Sequence, residues 1–342
     1  MEPWVPELLP QRDLVVVGAG PVGLFATYYA GFRGLDVALV DAQSGPGGQI
    51  TALYPGKLIH DVPGFPAVTG ADLVAGLVTQ AEEYSPAVLY DTEVLGIHAC
   101  GGVIEVTMSG DRVLRTGTVL LATGVGGIRP RPLPFVGEWY GRGLSYVVSD
   151  NEEHRGHNVV VVGGGDSALD WALKLRPVAS SVTIVHRRRA FRAQRSLLER
   201  ASREGIRILT EAEVVAISGN ERVREITVLA SDGSIEVMPA ETVIGALGMR
   251  SSPTPLIAWG IEVDHRRAIV DSHMQTAVPG IFAAGDGATY PGKVALIVAG
   301  FGEAATAVNN VAVYLDPEAE LMPGHSTDPE LTPPDHAPRG GA

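Results

Sequence analysis

Residues 13–23 read DLVVVGAGPVG, an apolar run followed by Gly18, Gly20 and Gly23. The run predicts a buried strand and the residues after it predict a helix, so the three glycines fall in a tight strand-to-helix turn. In such a turn Gly18 makes the bend, Gly20 leaves room for a pyrophosphate at the helix N-terminus, and Gly23 lets the helix and the strand approach closely.

The residue that closes the next apolar strand adds to this interpretation. The stretch 37–40 predicts that strand, and Asp41 follows it, 18 residues after Gly23. A carboxylate at this place can accept hydrogen bonds from a ribose diol. A glycine turn by itself indicates no more than a tight bend, but the turn and the acid together predict a dinucleotide site of the Rossmann type.

The same order of elements returns later in the chain. Residues 159–168 read VVVVGGGDSA, so Gly163, Gly165 and Ala168 repeat the first loop, with Gly163 lying 145 positions after Gly18. The next apolar strand, at 182–185, closes with His186 instead of an acid, again 18 residues after the last small residue of the loop. The matching spacing indicates a second dinucleotide loop built like the first.

Arginines follow that histidine. Arg187 and Arg188 can bind a 2′-phosphate through paired, charge-assisted hydrogen bonds, whereas a carboxylate at this place would repel it. The alternative is a solvated basic surface, which many arginines form. We predict NADP(H) rather than NAD(H) for the second loop. The candidate NADP-binding residues are Gly163, Gly165, Asp166, Ser167, Ala168, His186, Arg187 and Arg188.

The remainder of each half predicts a small β-meander and a closing strand. Short alternating strands lie at 92–107 and 112–121 in the first half, and at 213–230 and 234–237 in the second. Residues 279–286 predict one more buried strand, which we place back in the first domain, and residues 294–310 predict a helix.

The predicted fold class is therefore α/β, with two Rossmann-like dinucleotide-binding domains, each carrying a small β-meander. The second domain, 125–250, is inserted into the first, which consists of 1–124 and 251–328. Four prolines and a glycine-rich end predict a disordered tail at 329–342.

Charge is distributed unevenly along this acidic chain. The formal charge of −13 disfavours nucleic-acid and anionic-membrane binding. The stretch 186–207, however, contains eight arginines and two glutamates and so has a local charge of +6; we call its arginines the arginine island. Its members are Arg187, Arg188, Arg189, Arg192, Arg195, Arg200, Arg203 and Arg207. The first residues have neither a basic nor an apolar leader segment, so we expect a cytoplasmic protein.

The chain has a single cysteine, Cys100, which we expect in the first β-meander as a small structural residue. One thiol excludes an internal disulfide, a thiolate metal cage and a CxxC redox centre. The nine histidines form no HExxH or paired-ligand pattern, so we expect no metal. One acidic loop and one basic loop imply two different dinucleotides, and the chemistry that joins them is hydride transfer. A flavin suits the acidic loop because the ribose of FAD has a free 2′-hydroxyl.

Motifs along almost the whole chain carry a family resemblance. They are GAGPVG, SGPGGQITALYP, ATG, GGGDSALD, HRRRAFRA, AAGDGATYPGK and GFGEAATAVNN followed by PGHST. Together they resemble the two-dinucleotide flavoproteins that include bacterial thioredoxin reductases. Within that group the chain is similar to the thioredoxin-reductase-like ferredoxin/flavodoxin–NADP reductases. It lacks the CxxC of thioredoxin reductases, so disulfide exchange by that route is excluded.

The resemblance implies roles for individual residues around FAD. Tyr54 would stack on one face of the isoalloxazine, and His325 would cover the other face from the second subunit of a homodimer. Without the resemblance, Tyr54 would be an ordinary turn tyrosine and His325 a mobile tail residue. The complete set of candidate FAD-binding residues is Gly18, Gly20, Pro21, Gly23, Asp41, Gln49, Tyr54, Val94, Ile128, Asp286 and Thr327.

The same resemblance implies an NADPH:ferredoxin or NADPH:flavodoxin oxidoreductase. Hydride would pass from NADPH to the flavin N5, and single electrons would then pass to the acceptor protein. Because ferredoxins are generally acidic, the arginine island with Lys57 and Lys293 is a candidate docking surface. Two alternatives stay open: an NADPH-dependent reductase of quinones, ferric chelates or low-molecular-weight disulfides, and a non-enzymatic flavoprotein that senses the NADPH/NADP ratio.

Overall fold

A computed structural model describes residues 7–134, 139–148, 151–252, 254–325 and 327. The chain divides into two compact units, one formed by 1–127 with 253–342 and the other by 128–252. These borders lie within three residues of the ones that the sequence predicts. The predicted tail at 329–342 lies outside the described residues.

The first unit begins with a parallel strand–helix–strand arrangement and continues into a meander. The second half of its first strand is buried, with Leu14, Val15 and Val16 completely inaccessible to solvent. The elements are β1 (Glu7–Val17), α1 (Pro21–Phe32), β2 (Val37–Val40), α2 (Gln49–Leu53), β3 (Leu58–Ile59), β4 (Val68–Thr69), α3 (Gly70–Glu82), β5 (Ala87–Leu89), β6 (Val94–Cys100), β7 (Val103–Met108) and β8 (Arg112–Leu121).

The middle of the chain repeats this plan. Its elements are β9 (Gly127–Pro130), β10 (Leu144–Ser145), β11 (Asn158–Val162), α4 (Asp166–Leu175), β12 (Ser181–His186), α5 (Arg195–Arg203), β13 (Arg207–Thr210), β14 (Ala212–Gly219), β15 (Val223–Ala230), β16 (Ile235–Pro239), β17 (Thr242–Gly245) and β18 (Met249–Ser252).

The chain then completes the first unit. The remaining strands and helix are β19 (Val263–Asp264), β20 (Arg267–Ile269), β21 (Ile281–Ala283), β22 (Ala288–Thr289) and α6 (Ile297–Leu315). Helix α6 begins three residues later than the sequence predicts, because Leu296 has extended backbone angles (φ −128°, ψ 149°). It also continues five residues further, to Leu315.

Within each main sheet, the parallel strands bring their carboxyl ends to the same edge of that sheet. In the first sheet the order is β5-β2-β1-β8-β7-β6, and β21 also pairs with β8. Strands β1, β2, β5, β8 and β21 are parallel, so the predicted strand at 279–286 does return to this sheet. In the second sheet the parallel strands follow the order β10-β17-β11-β12-β13. The predicted α/β fold with two Rossmann-like units is confirmed.

The two meanders differ in one respect. In the second unit β14, β15 and β16 form a separate three-stranded antiparallel sheet. In the first unit β6, β7 and β8 belong to the main sheet, because β8 pairs antiparallel with β7 and parallel with β1. Cys100 ends β6 and is exposed, in the meander where the sequence predicts it.

Candidate functional site

Four loops meet at the carboxyl edge of the first sheet. They follow the parallel strands β1, β2, β8 and β21, and they carry Gly18–Gly23, Asp41, Ala122–Gly124 and Gly285–Gly287. Strands β2 and β8 lie on opposite sides of β1, so the chain reverses its direction of progress across the sheet at this point. Ligands of open parallel sheets bind in the crevice outside such a switch point.

The three glycines of the first loop meet different surroundings. A Cβ on Gly18, where φ is +109°, would lie 2.5 Å from the carbonyl oxygen of Ala122, and a Cβ on Gly23 would lie 1.8 Å from that of Gly18. A Cβ on Gly20 would meet no atom within 4 Å. Gly18 and Gly23 are therefore required by packing, whereas Gly20 opens onto free space at the start of α1. No side chain caps that helix start, and Pro21 is its first residue. This is the cradle that a phosphate group needs.

Asp41 lies beside that cradle and already holds the loop. Its Oδ2 accepts a hydrogen bond from the N–H of Ala19 at 2.5 Å, and its Oδ1 accepts one from the N–H of Gln43 at 2.7 Å. Burial raises the pKa of the Asp41 carboxyl, although both N–H groups oppose the shift. A carboxylate can accept about four hydrogen bonds, so two acceptor positions remain for hydroxyl groups.

A second glycine segment folds over the first. The N–H of Gly47 donates to the carbonyl of Ala19 at 2.8 Å, and a Cβ on Gly48 would lie 3.2 Å from the Cα of Gly20. Helix α2 begins directly afterwards with Gln49, whose Nε2 would lie 3.4 Å from a Cβ on Gly124. The structure thus brings Gln49 to the turn after β8, at the same edge as the first loop.

Tyr54 and Asp286 are close enough to interact electrostatically. Tyr54 follows α2 and is half-buried. Burial raises the pKa of its hydroxyl, and the negative charges of Asp286 and Asp61 raise it further. Asp286 lies in the short 3-10 turn Gly285–Gly287, where a Cβ on Gly287 would lie 2.9 Å from the carbonyl oxygen of Gly124.

The other candidate residues of the first site lie in different surroundings. Val94 is a core residue at the start of β6. Ile128 lies in β9, and its side chain is outside the described part of the structure. His325 and Thr327 are exposed and follow α6.

Two features of this unit are not evident in the sequence motifs. The first is a clamp on the chain after α6, where Arg33 donates to the Asn309 side chain at 2.8 Å, to the carbonyl of Glu320 at 2.9 Å and to that of Leu321 at 3.2 Å. The second is a buried carboxylate on α6, Glu303. The only signal for it in the sequence is an acid within the small and apolar residues of 297–308.

Glu303 forms an ion pair with Lys293 in which both side chains are almost inaccessible, at 5% and 4% exposure. Its Oε1 also accepts a hydrogen bond from the Tyr290 hydroxyl at 2.7 Å, and its Oε2 accepts one from the N–H of Gly285 at 2.8 Å. The hydrogen bond to Glu303 raises the pKa of Tyr290 to about 12. The prediction that Lys293 contributes to a docking surface is therefore wrong, because its ammonium group is buried against Glu303.

The second glycine loop repeats the geometry of the first. A Cβ on Gly163 would lie 2.3 Å from the carbonyl oxygen of Ala246, and a Cβ on Gly165 would meet nothing within 4 Å. Ala168, at the place of the third glycine, is fully buried in α4, and Ser167 is exposed one residue earlier. The Asp166 side chain accepts a hydrogen bond from the N–H of Gln194 at 2.8 Å, which ties the loop after β12 to the start of α4.

The His186 side chain packs against the second glycine loop. The residue is 8% exposed, and a Cβ on Gly164 would lie 2.3 Å from its ring. The ring packs against Phe191 with centroids 4.7 Å apart, and Nε2 lies 3.2 Å from the carbonyl oxygen of Ala190. His186 thus fixes the place where the chain turns toward the arginines.

The structure divides the arginine island into two groups. Four arginines are paired: Arg195 with Glu199 at 2.8 Å, Arg200 with Glu204 at 2.7 Å, Arg207 with Glu236 at 2.7 Å, and Arg203 with the carbonyl of Glu199 at 3.4 Å. The remaining four are exposed and have no acidic partner among the described residues: Arg187, Arg188, Arg189 and Arg192. The N–H of Arg192 donates to the carbonyl of Gly164 at 2.9 Å, which holds this second group at the glycine loop.

Comparison with known proteins defines the class. Residues 12–309 match the family of pyridine nucleotide-disulphide oxidoreductases, and the chain belongs to this family. It is 50% identical to a ferredoxin–NADP reductase of Saccharopolyspora erythraea over 317 residues, which cover 92% of this chain and 97% of that protein. A ferredoxin–NADP reductase of Salinispora tropica is 50% identical over 316 residues, with 92% and 98% coverage. The resemblance drawn from the motifs is confirmed.

Solved structures agree with this assignment. The crystal structure of Lactococcus lactis thioredoxin reductase matches with a TM-score of 0.65 and 28% identity, covering 89% of this chain and 99% of that one. In the described residues no helix is both long enough and apolar enough to cross a membrane. The same residues contain no cluster of three or more metal-ligating side chains of histidine, cysteine, aspartate or glutamate.

Proposed function

We propose that this chain is an NADPH:ferredoxin (or flavodoxin) oxidoreductase. In the balanced reaction, one NADPH and two oxidised ferredoxins give one NADP⁺, two reduced ferredoxins and one proton. The observation that carries the proposal is the combination of one glycine loop followed by Asp41 and a second followed by Arg187 and Arg188, in a chain with one cysteine. The names of relatives that share half of its residues support the same reaction.

FAD suits the first unit. The open face of Gly20 and the uncapped start of α1 would hold the pyrophosphate with Pro21, and the spare acceptor positions of Asp41 would hold the ribose diol. Gln49, Tyr54 and Asp286 lie at the same sheet edge. When bound, FAD accepts a hydride from NADPH and releases electrons singly. The chain itself orients the cofactor and excludes water, so it needs no general acid or base.

NADP(H) suits the second unit. Gly163, Gly165 and the start of α4 would hold its pyrophosphate, with Asp166 fixing the neighbouring loop. Arg187 and Arg188 would bind the 2′-phosphate, because they are exposed and have no carboxylate partner among the described residues. His186 would act through the loop that it supports.

The remaining assignments rest on the family resemblance. We assign Val94, Ile128 and Thr327 to the surroundings of FAD, and His325 to the flavin face of the partner subunit in a homodimer. The FAD domain comprises 1–124 with 251–328, the NADP domain 125–250, and the protein works in the cytoplasm. Truncation after Met322 tests the His325 and Thr327 assignments together: ferredoxin reduction should fall while NADPH binding stays, and unchanged turnover would refute both.

Electrons leave through the flavin, because a single cysteine cannot form a dithiol relay. An acidic ferredoxin needs a basic surface, and Lys293 does not supply it. The candidates that remain are exposed Lys57 and the four exposed arginines for which the described residues offer no acidic partner: Arg187, Arg188, Arg189 and Arg192. We expect ferredoxin turnover to fall steeply as salt concentration rises, and a salt-independent rate would contradict docking through these groups.

One experiment tests the proposed reaction against the alternatives. The purified protein loaded with FAD is supplied with NADPH, and turnover is compared for ferredoxin, flavodoxin, thioredoxin, a quinone and ferric citrate. We expect ferredoxin or flavodoxin to be reduced fastest and thioredoxin to give no turnover. Fast reduction of the quinone or ferric citrate with negligible rates for both proteins would overturn the proposal. No turnover with any acceptor, despite flavin reduction, would favour a sensor.

A further inference from the structure

A buried carboxylate on α6 contacts the turn that carries Asp286. Glu303 is six residues into this helix, and its side chain is 5% exposed. Four hydrogen-bond contacts converge on its two oxygens: two from the ammonium group of Lys293, one from the hydroxyl of Tyr290 and one from the backbone N–H of Gly285. Burying two charges costs desolvation free energy, which is offset only where contacts of this kind satisfy both groups. None of the roles assigned above uses this group.

The turn that Glu303 holds lies between two other parts of the candidate FAD site. Gly285 has φ +76°, and a Cβ there would lie 3.1 Å from the side chain of Val22, in the first turn of α1. A Cβ on Gly287 would lie 2.9 Å from the carbonyl oxygen of Gly124. The turn is thus packed against α1 on one side and the turn after β8 on the other, with Asp286 between the two glycines.

We propose that Glu303 is a positioning residue for FAD: through the Gly285 N–H it fixes the turn carrying Asp286, and Lys293 neutralises its charge. This inference rests on the proposed function, because it assumes that FAD binds at this sheet edge. The hydrogen bond from the Gly285 N–H to the Glu303 side chain holds the turn in place before the cofactor arrives, and either a carboxylate or a carboxamide oxygen can accept it. The Lys293 ammonium prevents a second negative charge from adding to that of Asp286.

Two double variants separate positioning from charge. Lys293→Met/Glu303→Gln removes both charges but keeps a carbonyl oxygen that can accept the Gly285 N–H. Lys293→Met/Glu303→Met removes both charges and that acceptor at similar volume. The probe is FAD itself, titrated into the apoprotein, with Kd followed by quenching of flavin fluorescence. Glu105→Gln is the matched control, because it breaks the exposed Arg115–Glu105 pair in the same unit.

We expect the Glu303→Gln double variant and the Glu105→Gln control to bind FAD within threefold of the wild type, and the Glu303→Met double variant to bind at least tenfold more weakly. Equal Kd values for the two double variants would overturn the proposal, whether both are normal or both are raised. If the wild-type apoprotein bound no FAD, the proposed function itself would fail, which is a different result.

Hydrogen exchange decides the matter if a double variant does not fold. In wild-type apoprotein the peptide covering 281–289 should exchange slowly before FAD is added, because Glu303 already holds the turn. Protection that appears only after FAD binds would overturn the proposal, since the cofactor and not Glu303 would then order the turn.

Discussion

Substituting Arg187 and Arg188 tests whether the arginines after the second glycine loop select NADPH over NADH. Both guanidinium groups are exposed and have no carboxylate partner among the described residues, so their substitution breaks no ion pair that the structure shows. We expect the double variant Arg187→Ala/Arg188→Ala to fold normally. We expect it to lose affinity for NADPH while its affinity for NADH hardly changes, because the two cofactors differ by the 2′-phosphate.

The size of the effect follows from the exposure of these side chains. A hydrogen bond to a charged group contributes about 1.5–3 kcal/mol, and solvent screening at exposed residues reduces this to about 1 kcal/mol for each arginine. Loss of both therefore costs about 2 kcal/mol, which corresponds to a rise of about 30-fold in the Kd for NADPH. Calorimetric titration of the protein with NADPH and with NADH, at one fixed salt concentration, measures the Kd for each cofactor.

The same island provides a matched control. Arg195 and Arg200 are paired with Glu199 and Glu204 at 2.8 and 2.7 Å, so Arg195→Ala/Arg200→Ala removes the same charge without removing an available guanidinium. We expect less than about a threefold change in the Kd for NADPH from this control. Equal losses for NADPH and NADH in the first double variant, or equal losses of NADPH affinity in the two double variants, would refute the reasoning.

Three further tests concern the glycine loop and the buried Glu303 cluster of the first unit. Gly23→Ala should destabilise the protein by more than about 2 kcal/mol in urea unfolding, because its Cβ would lie 1.8 Å from a carbonyl oxygen. Gly20→Ala should change stability by less than about 1 kcal/mol but weaken FAD binding in a titration, and equal stabilities of the two variants would contradict this. Lys293→Met should lower the free energy of unfolding in urea by about 3–5 kcal/mol, because it leaves Glu303 buried without its ion-pair partner. Lys293→Met/Glu303→Met should recover most of that loss, and a larger loss in the double variant would contradict this. The pKa of Tyr290 is raised from 10.0 to about 12 in the folded protein, so its hydroxyl stabilises the fold fully below pH 10 and progressively less as pH rises toward 12. The difference in unfolding free energy between the wild type and Tyr290→Phe should therefore shrink over that interval, and a pH-independent difference would argue against the hydrogen bond.

Much of the fold is predictable because its signals are local. A buried strand, a glycine turn and a helix have fixed lengths, so the residue that closes the following strand must appear at a set distance, and Asp41 and His186 both do. The surroundings that the structure gives to Gly18, Gly20 and Gly23 match what the spacing indicates. Helix α6 was less predictable at its start, because the apolar stretch 294–296 fits a helical pattern although Leu296 is extended.

The glycine spacing predicts two dinucleotide loops, the residues that follow them differ in charge, and one cysteine excludes an internal dithiol. Which of the charged side chains remain available depends on packing that local patterns do not reveal. Arg207 is neutralised by Glu236, 29 residues away on another strand, and Lys293 is buried against Glu303 although it resembles a surface lysine. The physical reason is that spacing along a strand or helix is set by local geometry, whereas the partner of a charged side chain is set by how separate elements pack.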